Sequence, residues 1–180
     1  QGRGLMFSKD VLSSIEFMAA QGNTSKAEEL LSQVLRSGGR PNEACFDAVI
    51  QAFDRDRQGA KAEEWLLRAM DHGCLPSEAS FSRVVYSLCQ LGSLPRAEEL
   101  TVQMMRQHVR PSKELFNLLI RMFAEQHNAP KVEEWLLNAG QSGWTPEQAA
   151  FDSVVLLYAE VDALKAEEWL SRGQQTEDKL

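Results

Sequence analysis

The chain has 180 residues, of which 43% are hydrophobic and 25% charged. This composition is typical of a folded protein and excludes disorder along the whole length. The net charge of −7 disfavours an electrostatic fit to nucleic acid or to an anionic membrane. Three cysteines without a Cys-x-x-Cys pair argue against a disulfide framework or structural zinc. No apolar run reaches the roughly 18 residues of a membrane-spanning helix, so we expect no direct membrane insertion.

The main signal in the sequence is an internal repeat. Prolines stand 35 residues apart, and a phenylalanine follows each proline by five residues: Pro41 and Phe46, Pro76 and Phe81, Pro111 and Phe116, Pro146 and Phe151. A second string, Lys-Ala-Glu-Glu-Trp at residues 61–65, recurs with small changes at 26–30, 96–100, 131–135 and, one residue early, at 165–169. The spacing predicts one array over residues 1–180, with repeats at 6–40, 41–75, 76–110, 111–145 and an irregular 146–180.

Each repeat has the pattern of two helices. In the second repeat, Phe46, Val49, Ile50 and Phe53 recur at i, i+3, i+4 and i+7, and the second half has a similar stripe that includes Trp65. Good N-cap residues and prolines then predict where helices begin. First helices are expected to begin near Ser8, Asn42, Ser77, Ser112 and Glu147, and second helices near Ser25, Ala60, Pro95, Pro130 and Leu164. We expect Trp65, Trp135 and Trp169 to fill the core between neighbouring hairpins.

A single helical hairpin cannot bury its apolar face, so the pattern predicts stacked hairpins in an all-α solenoid. A 35-residue hairpin with a proline near its end, an aromatic in its first helix and alanines in its second resembles the pentatricopeptide repeat (PPR). The resemblance covers nearly the whole chain. It implies a right-handed α-solenoid of about five antiparallel helical hairpins, a PPR-like superhelix, in a mitochondrion or a plastid.

Many PPR proteins bind single-stranded RNA, with each base read by the residue after the first-helix aromatic and the residue after the closing proline. The resemblance gives these candidate RNA-code positions: Leu12 with Asn42, Asp47 with Ser77, Ser82 with Ser112, Asn117 with Glu147, and Asp152 alone. Leu12 offers no hydrogen bond, while ionised Asp47 and Asp152 offer only acceptors and repel phosphate. RNA-binding members commonly carry Lys or Arg eight residues after the first-helix code position. At those places this chain has Ala20, Arg55, Gln90, Glu125 and Glu160. Asn42, Ser77 and Ser112 are also explained as N-caps, without RNA.

Two functions remain open, and neither is catalytic. The three histidines lack metal-ligand spacing and no nucleophile motif occurs, so we expect no enzyme, no metal and no cofactor. The first hypothesis, favoured by acidity, is a protein-binding scaffold, an accessory subunit of an organellar ribosome, respiratory complex or photosynthetic complex. The alternative is a single-stranded RNA-binding module in organellar RNA metabolism. Candidate residues for docking a partner are Arg36, Arg40, Arg106 and Arg110, together with an apolar patch of Leu156, Leu157 and Tyr158.

Overall fold

The computed structural model describes residues 9–177, and within them it has ten α-helices and no strand. The helices form five antiparallel hairpins. They are α1 (Lys9–Ala20) with α2 (Thr24–Arg36), α3 (Glu43–Arg55) with α4 (Gly59–Asp71), α5 (Glu78–Gln90) with α6 (Leu94–Arg106), α7 (Lys113–Glu125) with α8 (Ala129–Gln141), and α9 (Gln148–Ala159) with α10 (Ala163–Glu177). Odd-numbered helices are called first helices below, and even-numbered ones second helices. The predicted all-α class is confirmed.

Helices begin within one residue of their predicted positions, and at several of these starts a side-chain cap accounts for the position. The side chains of Asn42, Ser77 and Ser112 each accept the backbone N–H three residues on, which satisfies a donor with no partner inside the helix. The prediction for Ser8 lies outside the described residues, and α1 begins at Lys9. The two prolines predicted at second-helix starts, Pro95 and Pro130, lie in the first turns of α6 and α8.

The turns between helices rely on a residue with left-handed backbone. In five turns this residue is a glycine with positive φ. In three other turns it is Arg57, His108 or His127, although a residue with a Cβ adopts this conformation less favourably than glycine. In the described part of the chain, only the α9–α10 turn lacks such a residue. Its cap, Glu160, has a φ of −93°. That turn is the place where the repeat is one residue short.

The core is built from the apolar stripes of both helices, and in three of the five hairpins it includes an aromatic pair. Trp65 and Trp135 are fully buried and Trp169 is nearly so, which confirms that they are core residues, although their ring contacts join the two helices of one hairpin. The ring of Trp65 lies 6.4 Å from that of Phe46 on the partner helix, in a tilted arrangement. Phe116 with Trp135 and Phe151 with Trp169 repeat this contact at 6.0 and 6.2 Å. Such pairs contribute about 0.5–1.5 kcal/mol beyond the burial of their area.

The chain divides into two compact units, residues 1–109 and 110–180. In the first unit, α1 packs on α3 and α3 packs on α5, so that first helices of successive hairpins lie side by side. In the second unit, α7 packs on α9 in the same way. Each unit is therefore a stack of hairpins. A single array across all 180 residues stays a prediction.

Candidate nucleic-acid interface

In the first unit the structure brings the RNA-code positions Asp47 and Ser77 into contact. Phe46 on α3 points into the core, and the side chain of the next residue, Asp47, is half-buried at the surface of that helix. Its Oδ1 accepts the backbone N–H of Ser77 at 3.2 Å. Ser77 is the N-cap of α5, in the next hairpin. The two positions therefore form one polar locus where adjacent first helices meet.

The second unit does not join its code positions in this way. Asn117 is half-buried on α7, while Glu147 is exposed at the N-cap of α9. Within the described residues no hydrogen bond links the two. Glu147 instead forms an ion pair with Lys113 at 3.1 Å. Asp152 is exposed and accepts the side-chain N–H of Gln148 at 2.9 Å.

The remaining code positions have structural partners. Leu12 is half-buried, and its backbone carbonyl accepts the thiol of Cys45 at 3.7 Å. The side chain of Asn42 is occupied by capping, since it accepts the backbone N–H of Cys45 at 3.0 Å. Ser82 donates to Glu78 at 2.6 Å, and Ser112 caps α7. None of these contacts is specific to RNA, and those of Asn42 and Ser112 are explained by capping.

Formal charge overstates the repulsion that a phosphate chain would meet on the first helices. Asp54 forms an ion pair with Arg83 at 3.3 Å and accepts the hydroxyl of Ser87 at 2.8 Å. The carboxylates of Asp47, Glu147 and Asp152 also have donors, as described above. A cation at the carboxylate partly cancels its field, as at Asp54 and Glu147, whereas the neutral donors at Asp47 and Asp152 leave the negative charge in place.

Some of the arginines proposed for phosphate or partner contact bind groups within the chain, and others are exposed without such a contact described here. Arg55, at one of the expected phosphate positions, donates to the backbone carbonyl of Ala19 on α1. Arg36 donates to the carbonyl of Ser32 and lines an open groove of ≈ 730 Å³ between α2 and α4. Arg40 and Arg106 are exposed. Arg110 is engaged within the chain, where it lies over the ring of Trp144 and donates to the carbonyl of Ser142.

The predicted apolar docking patch is wrong in one of its three members. Leu156 is 71% exposed and Leu157 is half-buried, but Tyr158 is buried, with only 6% of its surface accessible. Tyr158 lies seven residues after Phe151 and four after Val154, so it belongs to the inward stripe of α9. Its hydroxyl donates to Glu133 at 2.6 Å. The exposed apolar residues near Leu156 are instead Val161 and Leu164, in and after the α9–α10 turn.

Ion pairs between neighbouring second helices were missed by the sequence analysis. The first glutamate of one Lys-Ala-Glu-Glu-Trp string is half-buried and binds the basic residue that opens the next string. The pairs are Glu28 with Lys61 at 2.9 Å, Glu63 with Arg96 at 2.5 Å, and Glu133 with Lys165 at 2.9 Å. We call them interrepeat ion pairs. The signal was present in the sequence, because the strings place a base 32 or 33 residues after each of these acids.

The interrepeat ion pair of the second unit is part of a larger cluster. Glu133 accepts both Tyr158 and Lys165, and the ammonium of Lys165 lies 4.9 Å from the centre of the Tyr158 ring. Burial opposes ionisation of Glu133, but the hydrogen bonds from Tyr158 and Lys165 outweigh it and lower its pKa. Burial, then the bond to Glu133, raises the pKa of Tyr158, and the bond to Glu133 raises that of Lys165.

The described residues hold no group of three or more metal-ligating side chains of the kind that binds an ion. None of their helices combines the length and the apolar character needed to cross a bilayer.

Comparison with known proteins gives similarity in structure only. No protein-family model matches the chain, and no curated protein matches it. The pentatricopeptide repeat protein PPR10 from maize superposes with a TM-score of 0.63 and 20% identity, over 94% of this chain and 24% of that one. The PPR domain of Arabidopsis thaliana protein-only RNase P 1 (PRORP1), solved with tRNA, gives 0.66 and 14%, over 93% of each chain. This protein has a PPR-like fold.

A third structure, nuclear proteinaceous RNase P 2 (PRORP2) from A. thaliana, matches the PPR-like chain with a TM-score of 0.70 and 16% identity. The match covers 93% of this chain and 38% of PRORP2. The PPR-like chain thus spans about a quarter of PPR10 and somewhat over a third of PRORP2. PPR10 has also been solved in complex with an 18-nt psaJ RNA element.

Proposed function

We propose that this PPR-like chain binds single-stranded RNA along its first helices and catalyses no reaction. Two of the structures that share its fold were solved with RNA bound, PPR10 with an 18-nt element and the PPR domain of PRORP1 with tRNA. This likeness favours RNA over the protein-scaffold function that the acidic composition suggested. The scaffold function becomes the competing hypothesis.

The contact between Asp47 and Ser77 carries the proposal at the level of residues. A single hydrogen bond holds Oδ1 of Asp47 against the start of the next first helix. The second oxygen, Oδ2, is left to accept amino or imino N–H groups from the edge of a base. An acceptor fixed by the backbone of a neighbouring repeat loses little side-chain entropy on binding, which is what a selective site requires.

Weak affinity is expected, because basic contacts are few. Non-specific affinities at physiological salt are about 10⁻⁶ to 10⁻⁴ M, and they depend on the number of phosphates neutralised. Exposed Arg40 and Arg106 lie where second helices end and have no contact described above, so they are the basic side chains best placed to meet a phosphate. Selectivity between bases would come from the polar positions on first helices, with about 1–3 kcal/mol for a well-placed contact.

The test is a fluorescence-anisotropy titration of the 180-residue chain with short labelled RNAs, both homopolymers and a random pool. We expect binding at micromolar or higher concentration with a preference among homopolymers. Asp47→Asn, which replaces one acceptor oxygen with a donor, should change that preference. Glu64→Gln, at an exposed second-helix residue that pairs with Arg68, should not. Equal binding of all four homopolymers by the native chain and by Asp47→Asn would overturn the proposal.

The competing scaffold hypothesis rests on the exposed apolar side chains of Leu156, Val161 and Leu164 and on the net charge of −7. It predicts co-purification with one defined protein complex and no RNA.

The compartment is likewise a proposal. The PPR resemblance suggests a mitochondrion or a plastid, but PRORP2, which shares the fold, is described as nuclear.

A further inference from the structure

Tyr86 on α5 presents an aromatic ring to solvent in the middle of the chain. Its side chain is 49% exposed, and no ring–ring or cation–π contact of the described residues involves it. At the equivalent position of α3, which has a first helix packed on each side, Gln51 is still only half-buried. The exposure of Tyr86 therefore belongs to the side of the first unit, and not to an open end of its stack.

Tyr86 shares a face of α5 with the code position Ser82. Phe81 and Val85 are fully buried, and the residues after them, Ser82 and Tyr86, lie about 100° further round the helix. Four residues along an α-helix amount to a net rotation of about 40°, so these two side chains are neighbours one turn apart. The surface that carries a candidate code position thus also carries an exposed aromatic ring.

The helix under Tyr86 is held by contacts on either side of it in the sequence. Asp54 on α3 forms the ion pair with Arg83 at 3.3 Å and accepts the hydroxyl of Ser87 at 2.8 Å. Both bonds join α5 to its neighbour, so the ring projects from a fixed segment. A tyrosine on a fixed backbone has only two side-chain torsions to order, which keeps the entropic cost of stacking on it low.

We propose that Tyr86 is a stacking platform for one base of single-stranded RNA, beside the polar position of Ser82. This inference rests on the RNA-binding function proposed above and adds a contribution to affinity that needs no phosphate contact. Stacking on an aromatic ring tolerates any base, because every base has a π-face, so Tyr86 would give affinity and position without choosing the base. A chain with a net charge of −7 gains little affinity from phosphates, so an uncharged contact of this kind matters more to it.

Fluorescence-anisotropy titrations of the 180-residue chain with short labelled single-stranded RNAs test the proposal. Tyr86→Leu should weaken binding about fivefold or more, the loss expected for one stacked base. Tyr86→Phe keeps the ring and should bind within about twofold of the native chain. The slope of log K against log salt should be the same for all three proteins, because neither substitution removes a phosphate contact.

Phe17→Leu is the matched control. Phe17 on α1 is also an exposed aromatic of a first helix, at 58%, but it follows the code position Leu12 by five residues and so lies about 140° round the helix from it. This variant should keep native affinity, and circular dichroism should show native helix content in every variant.

The outcomes separate this inference from the function on which it rests. If the native chain binds RNA and Tyr86→Leu binds as tightly, or loses no more than Phe17→Leu, the stacking role is overturned while RNA binding stands. A changed salt slope in Tyr86→Leu would also contradict stacking, since it would indicate an effect on phosphate contacts. If the native chain shows no RNA binding at about 10⁻³ M, weaker than ordinary non-specific affinity, the proposed function and this inference both fall.

Discussion

The guanidinium of Arg110 lies 4.4 Å from the centre of the Trp144 ring, 34 residues further along the chain. The same arginine donates to the carbonyl of Ser142, and the indole N–H of Trp144 donates to the carbonyl of Pro111 at 3.0 Å. Together the three contacts tie the segment before α7 to the turn after α8. Arg110 therefore has a structural role within the second unit, although its side chain is exposed.

Replacement of Trp144 should destabilise the second unit. Trp144→Leu removes the cation–π contact and leaves the carbonyl of Pro111 without this donor, at an expected cost of about 1–2 kcal/mol in the free energy of unfolding. Urea unfolding followed by circular dichroism measures it. Tyr86→Leu removes an exposed aromatic and should stay within about 0.5 kcal/mol of the native chain. Equal effects of the two variants would show that the contacts of Trp144 contribute nothing.

The two glutamates of each recurring string should differ in importance. Glu28 is half-buried and accepts both Lys61 and the indole N–H of the buried Trp65, the latter at 3.2 Å. Glu28→Ala leaves that indole without its partner and should cost about 1–3 kcal/mol. Glu29→Ala breaks an exposed pair with Lys26 and should leave the free energy of unfolding almost unchanged, because solvent screens the pair. Thermal and urea unfolding of both variants decide the point, and a larger effect of Glu29→Ala would contradict it.

The cluster at Glu133 should make stability depend on pH in two ranges. Its carboxyl pKa is lowered, so its contribution is present above the unfolded value of about 4.3 and is lost as pH falls through the folded one. Tyr158 and Lys165 have raised pKa values, so their contributions are present below about pH 10 and are lost as pH rises through the folded ones.

Glu133→Gln tests this pH dependence. The melting temperature should fall by about 2–4 °C between about pH 5 and 9, equivalent to about 1 kcal/mol, and the difference from the native chain should shrink in acid and in alkali. Glu134→Gln, at the exposed neighbour that pairs with Lys131, is the control. A difference that stays constant from about pH 3 to 11 would rule out the linkage.

RNA affinity should respond to charge on first helices. Asp152→Lys with Glu160→Lys changes two exposed acids to bases, so residual RNA binding should tighten. The slope of log K against log salt should steepen by about 0.7 for each new phosphate contact with a single strand. Glu64→Lys with Glu99→Lys, on second helices, is the matched control. The same gain from both pairs of substitutions would mean that binding follows net charge and not the first-helix surface.

Helix positions were predictable because local chemistry sets them. Asn42, Ser77 and Ser112 cap their helices with their own side chains, and each bond spans three residues. Interrepeat ion pairs could not be derived in this way, because the partner of Glu28 is 33 residues away and only stacking brings the two together. The burial of Tyr158 was recoverable, since its spacing from Phe151 already placed it on the inward stripe. The residues of the candidate site could be chosen from the sequence. The hydrogen bond between Asp47 and Ser77 could not, because only the folded structure brings the two residues together.

At the short turn between α9 and α10 the length of the turn differs from that of the other repeats, but the interrepeat ion pair is kept. One residue is missing there and the left-handed position is gone, yet Lys165 still reaches Glu133 at 2.9 Å. The ion pair therefore forms in spite of the shorter turn, alongside the packing of α9 on α7 and α8. Insertions and deletions in these turns should therefore accumulate freely over evolution, while the acid and base of the recurring strings change only together. Relatives would then be recognised by that covarying pair more reliably than by a constant repeat length.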